Sequence, residues 1–256
     1  MDHGLLLDVF DGVGLLTIDR PSVRNSLNWA AQRQFAAFVD EAAQRDDVGA
    51  LIITGRGSLF VAGGDIKDQT GSYDVATGQH LRSIMGAALR QLVEMPKPTI
   101  AAINGNAYGG GCEIVTACDL RVMAADAKLQ FVHGRMGLTT GWGGGARLIH
   151  LIGASKALEF LLTASQIDAG TALDCGLVNQ VVTAPETAAE RAFGLAQTML
   201  KLSPSALGAL KQMVWRSADL ERGYSAESEL FLKQWEHPDH IEAVEAFLAK
   251  RKPMFR

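Results

Sequence analysis

The apolar positions of this chain alternate between strand-like and helix-like spacing over its first part and become helical later. Leu5–Phe10 and Val13–Ile18 are apolar runs separated by Asp11-Gly12, a pair that favours a hairpin turn. Asn28–Arg45 sets Phe35, Phe38 and Val39 on one helical face. Gln79–Val93 sets Leu81, Ile84, Met85, Ala88, Leu89 and Leu92 at i, i+3 and i+4 spacing, until Pro96 and Pro98 stop the pattern. The short β-branched runs Ala50–Thr54 and Thr99–Ile103 predict buried strands, and Leu120–Ala124 and Leu129–Val132 predict two more. Strand and helix in alternation predict an α/β fold.

From about residue 144 the pattern predicts helices over Ala154–Leu162, Gln166–Cys175, Glu186–Leu200 and Ser203–Ser217, with one short strand near Val178–Val182. Ser203-Pro204 is a good N-cap and first-turn pair. Segments 224–236 and 238–250 carry Leu230, Phe231, Trp235, Ile241, Val244 and Phe247, an apolar load that must fold back on the core or pack on another subunit. The change of pattern divides the chain near residue 197, into a core of 1–197 and a helical region of 198–256.

Composition narrows the function classes. A net charge of −4 gives no basic excess to hold a nucleic-acid backbone. Cys112, Cys118 and Cys175 have no metal-ligand spacing, and their small number fits a reducing, cytoplasmic setting. His237-Pro-Asp-His240 looks metal-like, but Pro238 breaks the helix needed to align two imidazoles, so no metal is expected. The start, MDHGLLLDVF, has an acid where a secretion signal carries a basic segment, and no stretch reaches the ~18 apolar residues of a membrane span.

The candidate chemistry lies in the glycines. Fourteen of the 27 fall in three windows, 55–64, 105–111 and 134–145. In the second window a strand runs into Gly109-Gly-Gly111 and a helix follows. Such a turn is either a tight strand-to-helix connection or a site where unpaired N–H groups at the positive end of a helix dipole hold an anion. Phe60-Val-Ala-Gly-Gly-Asp-Ile-Lys67 has the same character after the strand at 50–54. Neither window has the spacing of a phosphate loop or a dinucleotide fingerprint. Two such turns could each lend one N–H to a single oxygen, as in an oxyanion hole. Glu113 stands beside it, either as a first-turn acid stabilising the helix dipole or as a general acid/base with its pKa raised by burial. His133 is polar in an apolar stretch, and both a satisfied core histidine and an active-site residue are open. No Ser-His-Asp order and no GxSxG elbow is present.

At these residues the chain resembles the crotonase (enoyl-CoA hydratase/isomerase) superfamily. The matching pieces are Asp19-Arg-Pro with Arg24-Asn-Ser-Leu-Asn28, the 60–67 window, Asn104-Gly-Asn-Ala-Tyr-Gly-Gly-Gly-Cys-Glu113 with Ala117-Cys-Asp-Leu-Arg121, Gly143-Gly-Gly-Ala-Arg147, and the terminal Ala246–Phe255 segment. The resemblance implies a spiral of ββα units with a C-terminal α-helical trimerisation region, a homotrimer or hexamer, and acyl-CoA thioester substrates. It implies that the N–H groups of Gly64 and Gly110 hold the thioester oxygen of an enolate. It also implies that Val23 and Arg24 line the CoA path, that Ala62, Asp65 and Ile66 lie near the adenine and pantetheine, and that Phe247 and Lys250 reach the nucleotide end. No cofactor beyond the coenzyme A of the substrate is implied.

The chain departs from the pattern at one place. Hydratases of this superfamily position one water with two glutamates, the first matching Glu113. Where the second is expected, this chain reads Phe131-Val-His-Gly-Arg135, so that either His133 or Arg135 takes the place of a carboxylate. The 131–148 stretch looks most like the crotonase-type decarboxylases of methylmalonyl- and ethylmalonyl-CoA. Losing CO₂ generates the enolate without a water-activating pair, and His133 or Arg135 suits a substrate carboxylate better than an acid would. The expectation is therefore a lyase of 2-carboxyacyl-CoA thioesters. The alternatives are an enoyl-CoA hydratase or double-bond isomerase, and a non-catalytic relative that binds a macromolecule.

Overall fold

The Asp11-Gly12 turn joins β1 (Leu5–Phe10) and β2 (Val13–Ile18) into an antiparallel hairpin, and every later strand of the large sheet is parallel to its neighbour. The computed structural model describes residues 4–69, 74–184, 186–216 and 220–255; Asp2 and Ser217, used in the sequence reading, lie outside the described residues. After α1 (Trp29–Gln44), capped by the Asn28 side chain on the Ala31 N–H, the chain repeats one unit. A buried strand is followed by a three-residue strand and then a helix: β3 (Ala50–Gly55), β4 (Leu59–Val61), the short α2 (Ile66–Gln69) and α3 (Val75–Glu94); β5 (Thr99–Ile103), β6 (Asn106–Tyr108) and α4 (Gly110–Ala117); β7 (Leu120–Ala124), β8 (Lys128–Gln130) and α5 (Gly144–Ile152). The long strands build one sheet and the short ones a second, in which β4, β6 and β8 are parallel. This is the expected spiral of ββα units.

The chain continues through α6 (Ala154–Thr163), β9 (Ile167–Asp168), α7 (Ala169–Asp174), β10 (Gln180–Val182) and α8 (Ala188–Met199). One face of the large sheet, with Leu51, Ile53, Ala101, Ile103 and Met123, forms the main core; the other, with Ile52, Ile100, Ala102 and Val122, lies under Ala188, Ala192 and Ala196 of α8. Residue 197 is thus inside a helix that covers the sheet. Beyond it come α9 (Pro204–Arg216), α10 (Leu220–Trp235) and α11 (Pro238–Leu248).

Three expectations differ in detail. Ile167 and Asp168 pair with β8, and the Asp168 side chain caps Thr171, so the helix expected from Gln166 begins at Ala169. The helix expected from Gln79 begins at Val75, because Asp74 caps it. The three-residue strands β4 and β6 are too short to carry a period of two, and the sequence reading has only loop there. The C-terminal helices fold back on their own chain: α10 packs on α3 and α5, where Gly78 meets the Trp235 ring, and α11 packs on the turn at His133–Met136. No described helix is long and apolar enough to cross a membrane.

Candidate active site

The turn at 63–64 and the start of α4 are brought together by the parallel pairing of β4 with β6. Leu27 donates its N–H to the Gly63 carbonyl (2.9 Å) and accepts from the Asp65 N–H (3.0 Å), which fixes the 63–65 backbone. Gly63 has a φ of +99°, and a Cβ there would lie 3.1 Å from the Gly110 nitrogen. A Cβ on Gly111 would lie 2.1 Å from the Val61 carbonyl oxygen, and one on Gly110 would strike the Trp142 ring at 2.2 Å. The glycines let α4 start directly on β4. The N–H groups of Gly64 and Gly110 donate to nothing among the described residues, and both residues are half-buried.

Glu113, in the first turn of α4, is 2% exposed, and its carboxylate leaves its own helix for the N-terminus of α5. Oε2 accepts from the Trp142 N–H (2.8 Å) and the Gly144 N–H (2.9 Å); Oε1 meets His133 Nε2 at 3.1 Å and the more distant Gly141 N–H at 3.4 Å. Close approach needs a bare Gly144, whose Cβ would lie 2.4 Å from Glu113 Cγ. Burial by itself raises a carboxyl's pKa, but here the His133 hydrogen bond, the Gly144 N–H and the Arg147 guanidinium outweigh it and hold the Glu113 carboxyl below its ordinary value. The elevated pKa expected from burial is therefore corrected. A carboxylate only accepts, so His133 donates to it from Nε2, and the buried Nδ1 has no hydrogen-bond partner among the described residues.

The α5 terminus also holds a second acid that the sequence reading missed. Glu227 of α10 accepts from the Gly143 N–H (2.7 Å) and the Ala146 N–H (3.0 Å), and the Thr140 hydroxyl accepts from the Gly145 N–H (3.1 Å), so all four N–H groups of 143–146 are satisfied. Burial, then the charge of Glu113, push the Glu227 carboxyl up. The available signal was its spacing: Glu227 precedes Phe231 by four residues and Trp235 by eight, on the buried face of an amphipathic helix. Arg147, fully buried, locks the pair of turns by donating to the backbone carbonyls of Glu113 (3.2 Å) and Trp142 (2.9 Å).

Of the two residues expected opposite Glu113, the structure places His133 there. Arg135 is exposed and donates to the Ala164 carbonyl (2.9 Å), a residue of positive φ with no helical partner for its oxygen. The contact with Glu113 is thus made by His133 and not by Arg135. Arg24 lies over the ring of Tyr108, 5.6 Å from its centroid, at the edge of the Gly110 turn; Val23 is exposed beside it. Ala62, Asp65 and Ile66 flank Gly64 and are half-buried. Phe247 and Lys250 are exposed at the end of α11, and no hydrogen bond or ring contact joins them to this cluster among the described residues. His237 caps α11, and His240 donates to the Met136 carbonyl (2.6 Å), so the two imidazoles serve separate structural ends.

Comparison with known proteins agrees with this geometry. Residues 9–256 match the family model described as enoyl-CoA hydratase/isomerase. A probable enoyl-CoA hydratase of Mycobacterium leprae is 36% identical over 254 residues, covering 98% of this chain and 97% of the relative. An ethylmalonyl-CoA decarboxylase of Gallus gallus is 32% identical, covering 91% of this chain and 80% of the relative. The crystal structure of an enoyl-CoA hydratase from Mycobacterium avium subsp. paratuberculosis superposes with a TM-score of 0.88 at 26% identity, covering 99% and 98% of the two chains.

Proposed function

The chain belongs to the enoyl-CoA hydratase/isomerase family, and on that premise we propose that it hydrates 2-enoyl-CoA thioesters with a histidine–carboxylate pair in place of two glutamates. The observation that carries the reading is the Glu113–His133 contact beside two unpaired glycine N–H groups. The N–H groups of Gly64 and Gly110 take the thioester oxygen. With Glu113 holding Nε2–H, His133 Nδ1 accepts a proton from water as the water oxygen bonds to C3; the C2–C3 π pair shifts to C1–C2, and the carbonyl π pair moves onto the thioester oxygen. The enolate then collapses as C2 takes the proton back, so the sum is one water added. Val23, Arg24, Ala62, Asp65 and Ile66 hold the coenzyme A, with Phe247 and Lys250 at its nucleotide end in a trimer or hexamer. The relatives named as hydratases support this reading.

A second reading rests on His133 standing where a carboxylate is expected and on the decarboxylase relative. In it, a 2-carboxyacyl-CoA loses CO₂, the electrons of the broken C–C bond pass to the thioester oxygen, and the pair or a water protonates C2. Incubation with crotonyl-CoA and with methyl- and ethylmalonyl-CoA decides between them. Loss of the enoyl-thioester absorbance without CO₂ release is expected; CO₂ release without hydration sinks the hydratase.

A further inference from the structure

Between α3, the Gly141–Gly143 turn and α10 lies a cavity of ≈ 260 Å³ whose lining is not that of an apolar acyl tunnel. Arg82, Gly86 and Arg90 line it from α3 at i, i+4 and i+8, a single helix face, and among the described residues nothing lies within 4 Å of where a Cβ on Gly86 would be. From the opposite side Tyr224 projects between two guanidiniums, with Arg90 5.1 Å and Arg147 5.7 Å from its ring centroid. Among the described residues, three arginines and one acid, Glu227, line it, and Glu227 already accepts from the Gly143 and Ala146 N–H groups.

Two polar atoms here are buried with no hydrogen-bond partner among the described residues: Arg82 Nε, whose neighbouring Nη1 is bonded to the Ser228 hydroxyl, and the Tyr224 hydroxyl. Buried donors left unpaired are costly, and a pair of them in one cationic cavity suits an anionic acceptor supplied from outside. The cavity shares a wall with the Glu113 site. Gly141 and Trp142 line it while their N–H groups hold Glu113, and the Trp142 ring covers Gly110.

Taking the acyl-CoA reading as its basis, we propose that this cavity is a carboxylate subsite, which selects thioesters whose acyl group carries a second carboxylate. A planar carboxylate matches the guanidinium edge of Arg82 and the Tyr224 hydroxyl, with Arg90 and Arg147 supplying charge. That carboxylate can stand next to the thioester or at the far end of the chain, and the chemistry of recognition is the same.

Calorimetry with saturated thioesters tests this apart from turnover. Adipyl-CoA is compared with hexanoyl-CoA, methylmalonyl-CoA with propionyl-CoA, and coenzyme A alone serves as reference. One carboxylated member is expected to bind at least about tenfold tighter than its neutral partner, the scale of one charge-assisted hydrogen bond, and which pair shows it locates the carboxylate. Arg82→Gln should erase that preference and leave the neutral thioester and coenzyme A unchanged. Gly86→Leu, which fills the open space without removing a charge, should erase it too. Equal binding within both pairs, or an Arg82→Gln loss shared by coenzyme A, overturns the subsite while the family chemistry stands. Failure of every thioester to bind overturns both.

Discussion

At Glu113, exchanging one carboxylate oxygen for an amide nitrogen sets N–H against N–H. The variant Glu113→Gln must turn its amide toward either His133 and Gly141 or Trp142 and Gly144, and each orphaned buried donor costs about 1–3 kcal/mol. Lower denaturant midpoints and a fall of roughly 10²–10⁴ in turnover are the expected outcome. His133→Ala should lose comparable activity with less stability, and Arg135→Ala should leave activity unchanged, because its guanidinium serves Ala164. Wild-type rates for His133→Ala would remove the proposed acid/base pair. The same carboxyl sets a pH dependence. Its folded pKa lies below the ordinary value, so its contribution to stability is present above the unfolded carboxylate pKa and is lost as pH falls through the folded one. Urea midpoints measured from neutral to acid pH should fall less steeply in Glu113→Gln than in the wild type.

Single helices carry their own consequences. The start of α5 uses every N–H from Gly143 to Ala146 on side chains of other elements, so its position is set by α4 and α10 together. Gly144→Ala drives a methyl into Glu113 Cγ, displaces the carboxylate from the α5 terminus, and should reduce both thermal stability and turnover. Gly86→Ala is the counter-example on α3: its methyl meets nothing within 4 Å, and removing a mid-helix glycine should raise stability by about 0.5–1 kcal/mol in the ligand-free protein. Thermal melts of the two variants should move in opposite directions, and a destabilised Gly86→Ala would mean that the space beside it is needed for the fold. At this scale long elements were legible before the structure, because α1 and α3 repeat their apolar face over several turns. The strands β4 and β6 were not, since three residues cannot show a period.

At the scale of the whole molecule, α9 exposes an apolar stripe. Leu210, Met213 and Val214 of α9 are 55%, 63% and 51% exposed on one helix face, at i, i+3 and i+4. If the proposed oligomer packs through this stripe, sedimentation should give a multiple of 27.4 kDa, and Met213→Glu should reduce it to a single chain; an unchanged mass would exclude the stripe as the seam. The sequence by itself determined the repeating α/β architecture, the two glycine turns and Glu113, because these depend on local periodicity and on glycines that stand out in any chain. Its resemblance to a family implies that the two turns form one oxyanion hole. Only the tertiary structure decided that His133 rather than Arg135 meets Glu113, that the Glu113 carboxyl is held below its ordinary pKa although buried, and that Glu227, 114 residues away in sequence, shares the same helix terminus. Those are contacts between elements distant along the chain, and the compensation of a buried charge depends on which N–H groups the fold aims at it.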